Sequence, residues 1–246
     1  MPIKPILISL AILLFYSGSI FYTPMLKAAS IVEHTDKSRN IYKKIKSFLA
    51  RDMERKGFNW GSPVYFRAFK SERTLEAWIE KDGTYHFFKS YFIYGLSGKL
   101  GPKYKQGDYQ VPEGFYTVYP RQMHPKSKYH LAFNIGYPNP FDRAKGWTGD
   151  YIMVHGDTGS SGCLAMKNQY IEEIYALAYA ALSQGQKFFR IDLFPFRMTD
   201  ARTRYLFGQE TSAETGFFGR TIKWLMDFIN QHRFPEKSAT LQSVPY

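Results

Sequence analysis

Tyr151-Ile-Met-Val-His155-Gly-Asp-Thr-Gly-Ser-Ser-Gly-Cys163-Leu-Ala-Met-Lys-Asn168 is the stretch on which the reading of this chain turns. Tyr151 to Val154 has the aromatic and β-branched character of a short strand, and it delivers His155 and Gly156 to a turn. The seven residues from Gly156 to Gly162, three of them glycine and two serine, return the chain to Cys163. Asn168 is a good helix cap. Ile171, Ile174, Tyr175, Ala178 and Leu182 recur at helical spacing up to Gly185. Cys163 is therefore expected at the mouth of a helix, with His155 held near it by a short glycine loop.

Such a pair has a chemistry. Thiolate is the reactive form of cysteine, and a helix N-terminus or an imidazolium nearby lowers its pKa. A His–Cys ion pair would be ready to attack a carbonyl. The glycines let backbone N–H groups turn toward a developing oxyanion, which makes those of Gly162 and Cys163 the candidates. Spacing alone leaves a blander reading open: a lone cysteine is often a buried apolar residue, and a histidine near it can be structural. Cys163 is the single cysteine of 246 residues, which excludes an internal disulfide and a metal site built on several thiolates. No cofactor or metal is implied. The other histidines, His34, His86, His124, His130 and His232, lack a motif.

Upstream, Lys4 and the uncharged run from Pro5 to Tyr22 read as an export segment. Ala28, Ala29 and Ser30 offer a cleavage region, so residues 1–29 are either a signal peptide or an uncleaved anchor touching the membrane through residues 5–22. The expected location is the periplasm or cell envelope, where a single free thiol is unusual unless it has work to do. The formal charge of +12 favours an anionic partner. Nucleic acid is set aside: no zinc-finger or RNP signature occurs, and export would keep the chain from it.

Outward from the central stretch the pattern is α+β and mostly β. Residues 30–60 form a basic amphipathic segment, with a helix expected over Asp36 to Lys56. Its stripe is Ile41, Ile45, Phe48, Leu49 and Met53, and its basic face is either solvated or set against anionic lipid or wall polymer. Gly57 ends it. Strands are expected at Pro63 to Phe69, Thr74 to Glu80 and Tyr85 to Tyr94, the last two joined through the Asp82-Gly83 hairpin signal. Gly95 to Gly107 reads as a loop without P-loop spacing. Pro112 to Val118 is a turn into a strand, and Lys187 to Phe196 alternates like one. Residues 61–200 make one domain. Residues 201–234 are a C-terminal extension with a second amphipathic helix at Thr221 to His232, and 235–246 are a polar tail.

The central stretch resembles the active-site signature of the L,D-transpeptidase (YkuD-type) family, in which His-Gly precedes Ser/Thr-His-Gly-Cys and a hydrophobic-Arg-hydrophobic-x-Asn run. Ser160 or Ser161, Gly162, Cys163, Leu164, Met166 and Asn168 match. The resemblance is closer to the YafK-type branch. It rests on Gly61-Ser-Pro-Val-Tyr65, Glu72-Arg-Thr-Leu75, Gly101-Pro-Lys103, Gln106-Gly-Asp108, Pro112-Glu-Gly-Phe-Tyr116, Asn134-Ile-Gly136, Asp142-Arg-Ala144, His155-Gly-Asp157 and Pro195-Phe-Arg-Met-Thr-Asp-Ala201, and it spans Ser62 to Phe196. Two positions depart from the broader signature: Ser161 stands where a second histidine is expected, and Ala165 where an arginine is.

The resemblance implies β-sandwich-like sheets with a helix after the cysteine and flanking amphipathic helices. It implies Cys163 as nucleophile, His155 as base and the Gly156 carbonyl as the group orienting the imidazole, with Asp157 a rival. Arg143 and Arg197 are candidates to receive a stem-peptide carboxylate or to stand in structural ion pairs; Asp157 and Ser161 are further candidate substrate contacts. The partner implied is peptidoglycan and, in this branch, a wall-linked lipoprotein. The expected reaction is hydrolysis of the amide between the lipoprotein's lysine and diaminopimelate. The alternatives are transpeptidation, giving 3–3 cross-links or protein–wall links, and a non-catalytic wall-binding module.

Overall fold

The computed structural model describes residues 32–197. The export segment, the C-terminal extension with its helix at 221–232, and the polar tail lie outside the described residues.

Helix α1, Asp36–Arg55, starts at a capping box: the Thr35 hydroxyl accepts from the Ser38 N–H at 3.0 Å, and the Ser38 hydroxyl accepts from the Thr35 N–H at 2.9 Å. Asp36 in the first turn and Arg55 in the last suit the helix dipole. Ile45, Leu49 and Met53 are buried, but Phe48, expected on the same stripe, is 39% exposed. The buried residues follow an i+4 row, and Phe48 sits about 100° round the helix from Leu49.

Strands β1 (Val64–Phe69), β2 (Thr74–Lys81) and β3 (Thr84–Phe92) follow. The β2–β3 turn has Asp82 at φ 53° and Gly83 at φ 77°, both in the left-handed region that a two-residue hairpin requires. Gly95–Leu96, expected as loop, is a short strand, β4, because its backbone pairs with the segment after Cys163. Then come β5 (Gly114–Val118), β6 (Met123–His124), β7 (Ala132–Asn134) and a short helix α2 (Pro140–Ala144). β8 (Met153–His155), β9 (Leu164–Ala165), α3 (Asn168–Ser183) and β10 (Phe189–Phe194) complete the order.

The strands form two five-stranded sheets, ordered β3-β2-β1-β10-β5 and β4-β9-β8-β7-β6. Each is antiparallel except for one parallel pair, β1–β10 in the first and β8–β9 in the second. The sheets meet through aromatic rings: Phe66 and Phe189 of the first lie 6.3 and 5.2 Å, centroid to centroid, from Phe133 of the second. One core cluster takes residues from both sheets, α1 and α3, so the second sheet, which carries the His–Cys loop, is backed by a continuous apolar interior.

Candidate active site

β8 and β9 are parallel neighbours, with Val154 opposite Leu164 and His155 opposite Ala165. The chain makes the return within residues 156–163, where a parallel crossover usually takes about a dozen residues or more. Glycine makes this possible. A Cβ on Gly156 would lie 2.6 Å from both the Asn168 Oδ1 and the Tyr129 carbonyl oxygen, and Gly162 has φ +99°. Hydrogen bonds then pin the loop. The Asp157 N–H donates to Asn168 Oδ1 at 3.0 Å, the Ser160 hydroxyl to the Cys163 carbonyl at 2.6 Å, and the Lys167 N–H to the Asp157 carbonyl at 2.8 Å.

Two expectations are corrected here. Cys163 does not open onto the helix, because β9 intervenes and α3 begins only at Asn168. Nor is Asn168 the cap: Lys167 holds that position, at φ 62° and ψ 157°, without a side-chain cap bond. The Asn168 side chain instead serves the turn at Asp157.

His155 is 2% exposed. Its Nδ1 lies 2.5 Å from the Gly156 carbonyl oxygen, and its ring leans on that of Tyr129 at 4.7 Å between centroids. A carbonyl can only accept, so Nδ1 carries the hydrogen and Nε2 is left free to take a proton. Burial lowers the imidazole pKa, outweighing the Gly156 carbonyl and the Asp157 carboxylate, which raise it. Cys163 is partly buried, and its Sγ accepts from the Met153 N–H at 3.4 Å and lies 3.7 Å from the Tyr151 carbonyl. Burial pushes the thiol pKa up, against the pull of that N–H and of the Lys103 charge. Both shifts favour the neutral forms, a thiol and an imidazole, and Sγ hydrogen-bonds to the backbone of Met153 and Tyr151.

The Gly162 N–H donates to the Ser97 hydroxyl at 2.6 Å, so it is already engaged. The Cys163 N–H has no hydrogen-bond partner among the described residues and is the free donor beside the thiol. Two depressions are lined by neighbours of His155 and Cys163. The smaller, of about 380 Å³, is lined by Lys103, Tyr151, Ile152 and the exposed Ser161, and so includes the residue whose carbonyl the thiol approaches. The larger, of about 640 Å³, is lined by Tyr129, Asp157, Lys37, Lys128 and Lys167, and so includes the ring against which the imidazole packs.

Arg143 and Arg197 line neither. Arg143, exposed on α2, donates to the Pro138 carbonyl. Arg197 pairs with Glu76 and lies 4.3 Å over the Phe69 ring. Ser97 and Tyr129 touch the site's machinery without a sequence signal of their own, whereas Lys103, whose charge acts on the thiol, stands in the matched Gly101-Pro-Lys103 block. The nearest hint for Ser97 was that it falls in the glycine- and lysine-rich stretch after β3.

Residues 63–186 match the model of the L,D-transpeptidase catalytic domain, YkuD. The YafK protein of Escherichia coli strain K12, itself named only provisionally as an L,D-transpeptidase, is 44% identical over 175 residues, which are 71% of this chain and 70% of that protein. The YafK protein of strain O157:H7 gives the same figures. Among solved structures, the helical cell shape determining protein Pgp2 of Campylobacter jejuni aligns at a TM-score of 0.44 and 22% identity, over 65% of this chain and 56% of that one. Bd1075 of Bdellovibrio bacteriovorus aligns at 0.37 and 19%, over 62% and 59%. With a domain match that takes in both His155 and Cys163, and a relative 44% identical over 71% of this chain, the chain belongs to the L,D-transpeptidase catalytic domain family.

Proposed function

We propose that this protein is an exported cysteine enzyme of the bacterial wall, which hydrolyses the amide joining a lipoprotein's terminal lysine to diaminopimelate. The observation that carries this reading is the His155–Gly156 bond beside Cys163, which leaves Nε2 as a base on the strand next to the nucleophile. In the proposed sequence Nε2 takes the thiol proton as Sγ attacks the diaminopimelate carbonyl. The Cys163 N–H meets the oxyanion. The imidazolium returns its proton to the departing lysine amine, leaving a thioester at Cys163. Water, deprotonated by the same imidazole, then releases the carboxylate and restores the thiol. The free thiol, the cationic surface and the uncharged run at residues 5–22 together support action outside the cytoplasm.

A second reading shares the thioester: an amine instead of water resolves it, giving 3–3 cross-links or protein–wall links. The family's name favours that outcome. Mass spectrometry of purified wall fragments incubated with the protein, with Cys163→Ala as control, decides between them. Release of a lysine-terminated peptide by the wild type alone supports hydrolysis, and no product from either protein removes catalysis altogether. For export, residues 1–35 fused to a reporter active only in the periplasm should give signal; a silent fusion removes the wall-enzyme reading.

A further inference from the structure

We infer that the larger depression binds a free carboxylate on the residue that supplies the amine, which under the reading above is the leaving lysine's own terminal carboxylate. The inference rests on that reading for the identity of the amine, but its geometry is independent of it.

The depression collects three ammonium groups from three separate parts of the chain: Lys37 in the first turns of α1, Lys128 between β6 and β7, and Lys167 before α3. None of the three forms a salt bridge among the described residues. Lys37 Nζ donates to the His130 carbonyl at 3.2 Å. Lys128 Nζ stands 4.9 Å above the Tyr129 ring, and Lys167 Nζ 3.7 Å above that of Tyr94. One carboxylate, that of Asp157, lines the depression against these three ammonium groups. The Asp157 carboxylate accepts from the Thr158 N–H at 2.6 Å, and Glu172 holds His130 at 2.7 Å. Helix α3 also enters here with no side-chain cap and no acid in its first turn, adding the positive end of its dipole to the same cavity. The surplus is cationic, and a carboxylate is its complement.

Position supplies the rest. Tyr129 forms one wall of the depression and also carries the His155 ring, and Asp157 lies two residues beyond His155. The imidazole must hand its proton to the departing amine, so the amine's residue lies on the imidazole side. The acyl side is left for the depression beside Tyr151. Lys37 falls outside residues 63–186, so the segment before the matched domain takes part in choosing the leaving group.

The test uses the full chain and two synthetic peptides ending in lysine, one with a free terminal carboxylate and one with a terminal amide. Binding to Cys163→Ala should be about tenfold tighter for the carboxylate, and Lys37→Gln combined with Lys128→Gln should bring that ratio close to one. With the active enzyme, the same lysine joined through its side-chain amine to an acylated diaminopimelate should show the same ratio in kcat/KM, carried by KM. Equal affinities in Cys163→Ala overturn the inference, as does a preference that survives the lysine substitutions. Preferential binding without cleavage keeps the carboxylate site and removes the hydrolase reading. Cleavage without preference keeps the hydrolase and removes the site.

Discussion

The Nδ1–H of His155 donates to the carbonyl oxygen of Gly156, the next residue in its own chain, across 2.5 Å. The peptide that turns the chain away from β8 is thus the one that fixes the imidazole's tautomer. The turn needs glycine there because of what surrounds it: Asn168 Oδ1 and the Tyr129 carbonyl oxygen would each lie 2.6 Å from an added Cβ. Gly156→Ala is therefore expected to cost about 1–3 kcal/mol through overpacking. By shifting the base it should also slow thioester formation by about 10²-fold, the scale on which a 1 Å misplacement acts. Thermal unfolding and single-turnover acylation measure the two effects. A destabilised variant acylating at the wild-type rate would show that the Gly156 carbonyl does not set the base.

The resting charge state gives a pH prediction. Burial raises the Cys163 pKa and lowers that of His155. At neutral pH the thiolate fraction should then fall below that of a free cysteine, whose pKa is about 8.5. Iodoacetamide should modify Cys163 more slowly than free cysteine at neutral pH, with the rate rising steadily into the alkaline range. A rate plateau in mildly acidic solution would reveal a thiolate–imidazolium pair and reverse this assignment.

A buried carboxyl on α2 makes stability depend on pH. Asp142 is fully buried; its Oδ2 accepts from the Asn139 N–H at 2.9 Å and the Tyr116 hydroxyl at 3.2 Å, while its Oδ1 has no partner among the described residues. Burial pushes its pKa up to about 6. A group whose pKa is raised on folding stabilises the fold below its unfolded value and loses that contribution as pH rises through the folded one. Asp142→Asn keeps one acceptor oxygen and has no charge to bury. Its stability relative to wild type should therefore increase by up to about 3 kcal/mol between pH 4 and pH 7.5. Denaturant titrations at the two pH values measure this, and a pH-independent difference would mean that Asp142 is not the titrating group.

Where local chemistry decides an element, the sequence was a good guide. Asp82-Gly83 names its own turn, and the buried i+4 row of α1 and the stripe of α3 are periodicities of the helix itself. What stayed hidden depends on partners distant in sequence. Gly95–Leu96 is too short for an alternating pattern and is a strand only because Ala165 and Leu164 lie beside it. Asn168 has the composition of a cap, yet its amide oxygen is claimed by the Asp157 N–H. The spacing of His155 and Cys163 showed that a loop joins them. It could not show that the loop closes a parallel strand pair, that burial shifts the thiol and imidazole toward their neutral forms, or that Ser97 occupies the Gly162 N–H.

Water is expected to resolve the thioester more often than an amine does. Both outcomes start from the same acylated Cys163, so the nucleophile alone does not choose. What chooses is whether an acceptor amine is held in place, since positioning can contribute about 7–11 kcal/mol. The two signature positions that depart from the broader family bear on this. Ser161 is exposed and lines the smaller depression, where a hydroxyl replaces an imidazole. Ala165 is fully buried opposite Gly95, and a Cβ built on Gly95 would already lie 2.8 Å from that of Ala165. β4 thus fills the space an arginine side chain would need, and the missing cation cannot be restored by one substitution. Ser161→His can be made without disturbing the core. Given a lysine-linked wall fragment and excess diaminopimelate-bearing acceptor, the wild type should release the peptide with little new cross-link. Ser161→His should raise the cross-linked share. Dominant 3–3 product from the wild type would instead place the acceptor-holding groups elsewhere in the cleft and make the protein a transpeptidase.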